Sequence, residues 1–423
     1  MIEKLNDDFS RRLRLPMMLG LMLLASCVTT MLQAAPEKAV AATQAVPSSL
    51  AKRPLILAHY MPWYVAKPQN AVWGWHWTMN TFDPDNKEGK RRLASYYTPS
   101  IGAYDSGDPA VIEYHLLTMK MAGIDGLIVD WYGLADHFDY AILRSNSELL
   151  LQAANRCGLK IAVCYEDQTV MQLQKAGKLA PENRVKHVAA EIDWLQKNWF
   201  SNPAYLKYEG KPVLLSFGSD GLTDDEWKQV LAPRSDVLYL SEHNRRDVAG
   251  GAFDWPIPAR ADDALNTFYR ESRAWPHAMP VAFPRFHDIY GEARVSASYP
   301  IIADEKGRTF ERTLRRGIKS GAPWVQLATW NDWGEGTQIE PSREFGFRDL
   351  ETTQKLRREL IDARFAFKTD DLRLPRRLLA LRQTAASTPR IKSQLDQISR
   401  SLAAGSLSAA RAKLGRLETP KPK

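Results

Sequence analysis

Asp332 and Glu335 stand three residues apart in the segment Trp330-Asn331-Asp332-Trp333-Gly334-Glu335-Gly336-Thr337-Gln338-Ile339-Glu340-Pro341. Two carboxyl groups so close can face a single acetal, one giving a proton to the leaving oxygen and the other acting as base or nucleophile. Flanking tryptophans, Trp330 and Trp333, would desolvate one carboxyl and raise its pKa, as an acid working near neutral pH needs. Aromatic faces would also hold a sugar ring. The competing reading makes Asp332 a turn cap and Glu335 a surface residue, the common fate of an isolated Asp-x-x-Glu. The glycines, the tryptophans and the apolar run 324–329 just before the pair favour chemistry at a strand end.

Other ionisable and aromatic residues fall just past apolar runs: His59 and Tyr60; Asp130 and Trp131; Tyr165, Glu166 and Asp167; Glu242 and His243; Asp254 and Trp255; Arg285 and His287. Asp130 reads equally as a buried structural carboxylate. Glu242 and His243 read as substrate ligands or as hydrogen-bonded scaffold. Arg285 with His287 would suit an acidic sugar. Trp73, Trp75 and Trp77 form either a stacking wall or the core of their own loop.

The elements that must position these residues follow from hydropathy. Strand-like segments occur at 55–60, 127–131, 161–165, 213–217, 237–241, 252–255, 280–284 and 324–330. The clearest are continuous apolar runs, which suit parallel strands buried on both faces. Helical patterns at 109–121, 139–156, 184–199 and 309–319 lie between them, the first opened by Asp108-Pro109 and closed by Ala122-Gly123. The connection before Ala252 is weak. Eight strands alternating with helices predict an α/β fold, a (β/α)8 TIM barrel, whose site lies where the strands end. A doubly wound open sheet is the other candidate, but no glycine-rich phosphate turn follows the first strand.

Four segments are expected: a lipoprotein signal peptide at 1–26, a flexible tether at 27–52, the barrel at 53–350 and a basic helical tail at 351–423. Arg11, Arg12 and Arg14 precede a twelve-residue apolar run, 15–26, too short to span a membrane comfortably and right for a signal. Leu24-Ala25-Ser26-Cys27 resembles a bacterial lipobox, in which Cys27 would be acylated; ordinary cleavage near Ala34-Ala35 is the alternative. Cys157 and Cys164 flank the start of a strand, which disfavours a disulfide, and no metal-ligand spacing such as Cys-x-x-Cys occurs. From Lys368 onward thirteen Lys and Arg face four Asp and Glu, a balance of +9, against +8 for the entire chain. The tail is therefore the basic part. In it, Ile391, Leu395, Ile398 and Leu402, then Leu407, Ala410, Leu414 and Leu417, predict a helical hairpin about Gly405. No aromatics interleave this charge, which disfavours nucleic acid.

The long segment resembles the Trp-Asn-Glu-Trp-x-Glu-Gly-Thr-x-x-Glu-Pro signature of glycoside hydrolase family 99, the endo-α-mannosidases and endo-α-mannanases, and of WbsX-like proteins found with bacterial polysaccharide genes. His59-Tyr60-Met61-Pro62-Trp63-Tyr64, residues 123–133 and Tyr165-Glu166-Asp167 match in the same order, so the likeness covers about 54–350. It departs at two positions. Asp332 replaces Glu, and Gly334 stands where the mannosidases usually carry His. Trp-Asn-Asp followed by an aromatic, Gly and Glu is similar instead to family 71, the α-1,3-glucanases. The family 99 resemblance implies a (β/α)8 barrel and retention through a 1,2-anhydro sugar. Asp332 would be the base toward the 2-hydroxyl and Glu335 the acid, then base. Glu166, His59, Tyr60 and Trp63 would line the cleavage subsite.

The expected function is thus an exported endo-acting glycoside hydrolase on an α-linked polysaccharide, α-mannan or α-glucan, without cofactor or metal. Asp332 and Glu335 are the catalytic pair. His59, Tyr60, Trp63, Asp130, Trp131, Glu166, Glu242, His243, Arg285, Trp330 and Trp333 are the substrate-binding candidates. A non-catalytic glycan-binding lipoprotein of polysaccharide export or assembly, and a transglycosylase, are the alternatives. The expected partners are the glycan and, through acylated Cys27, a lipid membrane of the bacterial cell envelope; a secreted or periplasmic form is the other placement.

Overall fold

The computed structural model describes residues 53–86, 91–384 and 388–418. The signal, the tether and Cys27 lie outside the described residues.

Eight parallel strands close into a barrel. They are β1 Leu55–Tyr60, β2 Gly126–Trp131, β3 Lys160–Glu166, β4 Lys211–Phe217, β5 Leu238–Glu242, β6 Gly251–Phe253, β7 and β8 Trp324–Leu327. Each pairs with its sequence neighbour, and β1 closes on β8 with Leu55 opposite Trp324. Strand β7 comes in two pieces, His277–Met279 and Val281–Ala282. Pro280 separates them because it has no N–H to give to a ladder. The first piece pairs with β6 and the second with β8, so the ring is complete.

The strands alternate their side chains between two cores. Leu57, Ile128, Ala162, Leu215, Leu240, Phe253 and Met279 fill the barrel interior. Ile56, Ala58, Leu127, Val129, Val163, Leu214 and Leu327 face the helices instead. A buried Leu or Ile in either layer contributes about 1.5–3 kcal/mol.

The helices are α1 Pro109–Ala122, α2 Tyr140–Cys157, α3 Gln168–Lys175, α4 Arg184–Asn198, α5 Asp224–Leu231, α6 Ala261–Glu271, α7 Arg308–Ile318 and α8 Arg348–Leu360. Asp108 caps α1 through Ala110 N–H, Pro109 opens it, and Gly123 ends it at φ 84°. Thr223 and Glu226 form a capping box at α5. The weak connection is real: residues 243–250 between β5 and β6 contain no helix.

The expected boundary at residue 350 cuts through α8. This helix belongs to the barrel: its Arg357 grips Asp125 through two bonds of 2.9 Å just before β2. Beyond it lie α9 Leu374–Thr384 and the hairpin of α10 Pro389–Ala403 and α11 Leu407–Glu418. Gly405 turns the hairpin at φ 74°, and Leu395, Ile398, Leu402, Ala410 and Leu414 bury its stripe against the outer core. Cys157 and Cys164 are both free thiols, one at the end of α2 and one inside the barrel. Among the described residues no helix is long and apolar enough to cross a membrane.

Candidate active site

The carboxyl pair sits on a loop stitched to the end of β8. Trp330 N–H donates to His59 O at 2.7 Å, carrying the β8–β1 pairing past the strand end. The chain then turns and returns: Ile339 N–H donates to Thr329 O at 3.0 Å and Glu340 N–H to Trp330 O at 2.8 Å. Within the turn, Thr329 Oγ1 accepts Asp332 N–H at 2.7 Å and meets Thr337 Oγ1 at 3.0 Å. Asp332 Oδ1 accepts Glu335 N–H at 2.9 Å. Asp332 is thus a turn cap as well as a candidate reactant, with one oxygen held by the backbone it caps.

A buried polar network supports this loop from below. Asn331 Oδ1 accepts Met61 N–H at 2.8 Å, and its Nδ2 donates to Met61 O and Tyr104 Oη. Tyr64 Oη donates to Asn331 O and accepts Trp333 N–H, both at 3.0 Å. Glu340 meets Tyr104 Oη at 2.7 Å and His115 Nε2 at 3.0 Å, and His115 Nδ1 reaches Tyr60 Oη at 2.9 Å. A buried network of this kind fixes geometry strongly, because any member left unpaired bears its full desolvation cost.

The two carboxyls differ in proton affinity. Asp332 is 4% exposed. Burial pushes its pKa up to about 6 against the backbone N–H groups of Glu335 and Gly334. Glu335 is pushed well above the usual range by burial, then by the charges of Asp332 and Asp288, with the Tyr290 hydroxyl working the other way. Its Oε2 has no protein hydrogen-bond partner. With Asp332 near 6 and its charge favouring the protonated form of Glu335, the pair is arranged to divide into a base and an acid.

More polar groups line the barrel mouth where inner positions reach the strand ends. His59 Nδ1 lies 3.4 Å from Gln326 Oε1, and its ring meets Trp255 edge-on at 4.8 Å. Burial lowers its pKa to about 4. Asp130 and Glu166 each bear on the other's proton affinity. Burial raises both, Glu166 to about 7 and Asp130 well above its usual value, where Glu166 adds to the push. Gly218 N–H donates to Glu242 Oε2 at 2.9 Å. His243 Nδ1 meets Asp254 Oδ1 at 3.2 Å. Burial opposes the His243 charge, but the Asp254 bond and the Glu242 charge outweigh it and raise its pKa. Trp63 is half-buried and stacks on His76 at 4.2 Å.

His59, Asp130 and Cys164 place metal-ligand atoms within 4.8 Å of one another. Burial disfavours the charged form of all three, and an ion bound there would displace protons from both the carboxyl and the thiol.

Five of the expected ligands lie elsewhere. Tyr60 and Trp131 occupy outward positions of their strands and belong to the outer core, Trp131 stacking on Trp194 at 6.3 Å. The period-2 alternation that turns His59 and Asp130 inward turns their next neighbours away. Trp330 and Trp333 are wholly enclosed and offer no face to a sugar. Arg285 is 1% exposed. It is consumed by Asp304 at 3.1 Å, Gln338 O at 2.8 Å and Asp349, and lies over the Phe345 ring. Sequence reasoning also passed over Asp288, Tyr290 and Gln326. A polar Gln within the apolar run of β8 was the signal for the last.

A family model described as glycosyl hydrolase family 99 matches residues 54–244. Over that span the chain is similar to family 99. A glycoprotein endo-α-1,2-mannosidase-like protein of Danio rerio is 23% identical over 285 residues, covering 59% of this chain and 60% of that protein. The glycoprotein endo-α-1,2-mannosidase of Mus musculus is 21% identical over 324 residues and 67% of each chain. The chain therefore spans about three fifths of the length of the first of these relatives. Among solved structures, the family 99 endo-α-mannosidase of Bacteroides thetaiotaomicron superposes with a TM-score of 0.56 at 21% identity, over 74% of this chain and 98% of that one. A second structure of that enzyme gives 0.55 at 18% identity, over 76% of this chain and 98% of the other. This likeness establishes the barrel fold.

Proposed function

We propose that the protein is an endo-acting glycoside hydrolase that cleaves an α-linked mannan, with Asp332 as base and Glu335 as acid. The observation that carries this reading is the pair itself: a buried and a half-buried carboxyl three residues apart on one cross-braced turn at a barrel mouth, in unequal surroundings. The family likeness and the endo-mannosidase relatives support the substrate class.

In this reading Asp332 removes the proton of the sugar's 2-hydroxyl, and O2 closes on C1. The C1–O bond to the leaving sugar breaks as Glu335 protonates that oxygen. Glu335, now a carboxylate, takes a proton from water, whose oxygen attacks C1. The C1–O2 bond opens, and O2 recovers its proton from Asp332. Two inversions give net retention. His59, Asp130, Glu166 and Trp63 surround the sugar in the subsite where cleavage occurs.

The basic residues and apolar run before Cys27 support export and acylation of that cysteine, which would tether the enzyme to the cell envelope. A panel of α-1,6- and α-1,2-linked mannans and α-1,3-glucan tests the proposal. Internal cleavage of a mannan with α-configured products supports it. Binding without release of reducing ends would favour a glycan-binding lipoprotein, and longer oligosaccharides from an acceptor would favour a transglycosylase.

A further inference from the structure

Gln326 is a polar residue in the apolar strand β8, and it is wholly buried. Its partner in the ladder is Leu57 of β1, which shares a face with His59 two residues on. An amide is costly in such an interior unless both of its ends are bonded. Both are. Gln326 Nε2 donates to Asp254 O at 2.5 Å, just past β6, and Oε1 lies 3.4 Å from His59 Nδ1, near the end of β1.

These two contacts place a proton. A backbone carbonyl only accepts, so the amide nitrogen must face Asp254 and the amide oxygen must face His59. The amide oxygen only accepts in its turn. His59 Nδ1 therefore carries the hydrogen, and Nε2 of the singly protonated ring keeps its lone pair. Burial favours that singly protonated ring at neutral pH. Trp255 packs edge-on against it at 4.8 Å. A carboxyl oxygen of Asp130 and Cys164 Sγ lie within 4.8 Å of one of its nitrogens and of each other. Asp130 Oδ1 and, on the turn after β8, Glu335 Oε2 are buried without a protein partner, as in a site whose ligand completes its hydrogen bonds.

We propose that Gln326 is a positioning residue that holds the His59 proton on Nδ1 and so presents Nε2 as the acceptor for a hydroxyl of the bound sugar. This rests on reading the barrel mouth as the subsite where a mannan is cleaved. A ring with its proton on Nε2 would offer a donor there and could not accept from the hydroxyl. Gln326→Met keeps the length of the side chain and removes the amide oxygen. The ring should then lose its preference for the Nδ1–H form. A purely structural role would lower stability in this variant and leave the tautomer where it was.

The test is ¹⁵N NMR of the histidine rings in labelled protein at pH 7, where the two tautomers give distinct shifts, with His59 identified by its loss in His59→Asn. The expected result is the Nδ1–H form in wild type and a gain of the Nε2–H form in Gln326→Met, with kcat/KM on α-mannan lowered up to about tenfold for one lost bond. An Nε2–H ring in wild type, or an unmoved tautomer in Gln326→Met, overturns the proposal. If Gln326→Met fails to fold, the wild-type ring alone decides, and the Nε2–H form overturns it. A second arm adds an α-mannan oligosaccharide to labelled Glu335→Gln, chosen to block turnover. The Nε2 signal should move upfield as a hydroxyl bonds to it, and an unmoved signal with the oligosaccharide bound overturns the proposal. Failure of the oligosaccharide to bind would instead remove the mannan reading and leave the tautomer result standing.

Discussion

Two carboxylate clusters in this molecule meet opposite fates. At the barrel mouth Asp130, Glu166 and Asp332 are buried and Glu335 is half-buried; among the described residues none of the four forms an ion pair with Lys or Arg, and burial raises the pKa of all four. Beside the same loop, Asp304 and Asp349 face Arg285 and Arg348. Burial pushes Asp304 up as well, but the hydrogen bond from Arg348 and the charges of both guanidiniums outweigh it and hold it down. The paired cluster is spent on structure. Burial favours the protonated forms in the unpaired one, and the proposed function takes that contrast as the mark of a reactive carboxyl.

The contrast can be broken at four points. The largest effect belongs to the acid. Glu335→Gln should lower kcat on α-mannan by about 10²–10⁴, with much less loss on an aryl α-mannoside whose leaving group needs no proton, and with the melting temperature little changed. Steady-state kinetics on both substrates check this.

Arg285→Leu should show the reverse pattern. It leaves Asp349 and Asp304 short of a partner and should cost about 3–5 kcal/mol of stability, read by denaturant unfolding, while the folded fraction keeps its turnover. A fall in turnover at unchanged stability would move Arg285 into the site and erase the contrast.

The pH profile comes next. Asp332 must be ionised to act as base, so kcat/KM should rise with pH through about 6, nearly tenfold per unit on the acid side, and fall only at high pH as Glu335 loses its proton. The smallest effect is expected at Trp63, where replacement by Ala should raise KM by removing a stacking face worth about 1 kcal/mol with kcat nearly kept. Trp330→Phe should alter stability and leave KM alone.

The barrel was legible because its strands are apolar on both faces and stand out as continuous runs. Strand β7 was readable although Pro280 interrupts its ladder. The capping box Thr223–Glu226 was in the sequence as a mark of α5, yet the expected helices omitted it. At the site, the rule that polar groups gather at strand ends pointed to His59, Asp130, Glu166 and the Asp332–Glu335 pair, and all five lie at the barrel mouth. The same rule overreached at Tyr60 and Trp131 because it ignored alternation, which a count of two from Leu57 or Ile128 supplies. Trp330 and Trp333 look like sugar platforms in a linear motif, and only the packing shows them enclosed. The support beneath them was invisible for a different reason. Tyr64, Tyr104 and His115 join Asn331 and Glu340 across more than two hundred residues of chain, and no local pattern marks such a contact.

The most direct test is reducing-end release from yeast α-mannan by wild type and Asp332→Asn, compared at pH 7 with both proteins shown to be folded. The account predicts internal cleavage by wild type, with α-configured new ends, and release by the variant lowered by about 10² or more. Equal release by the two proteins would contradict it.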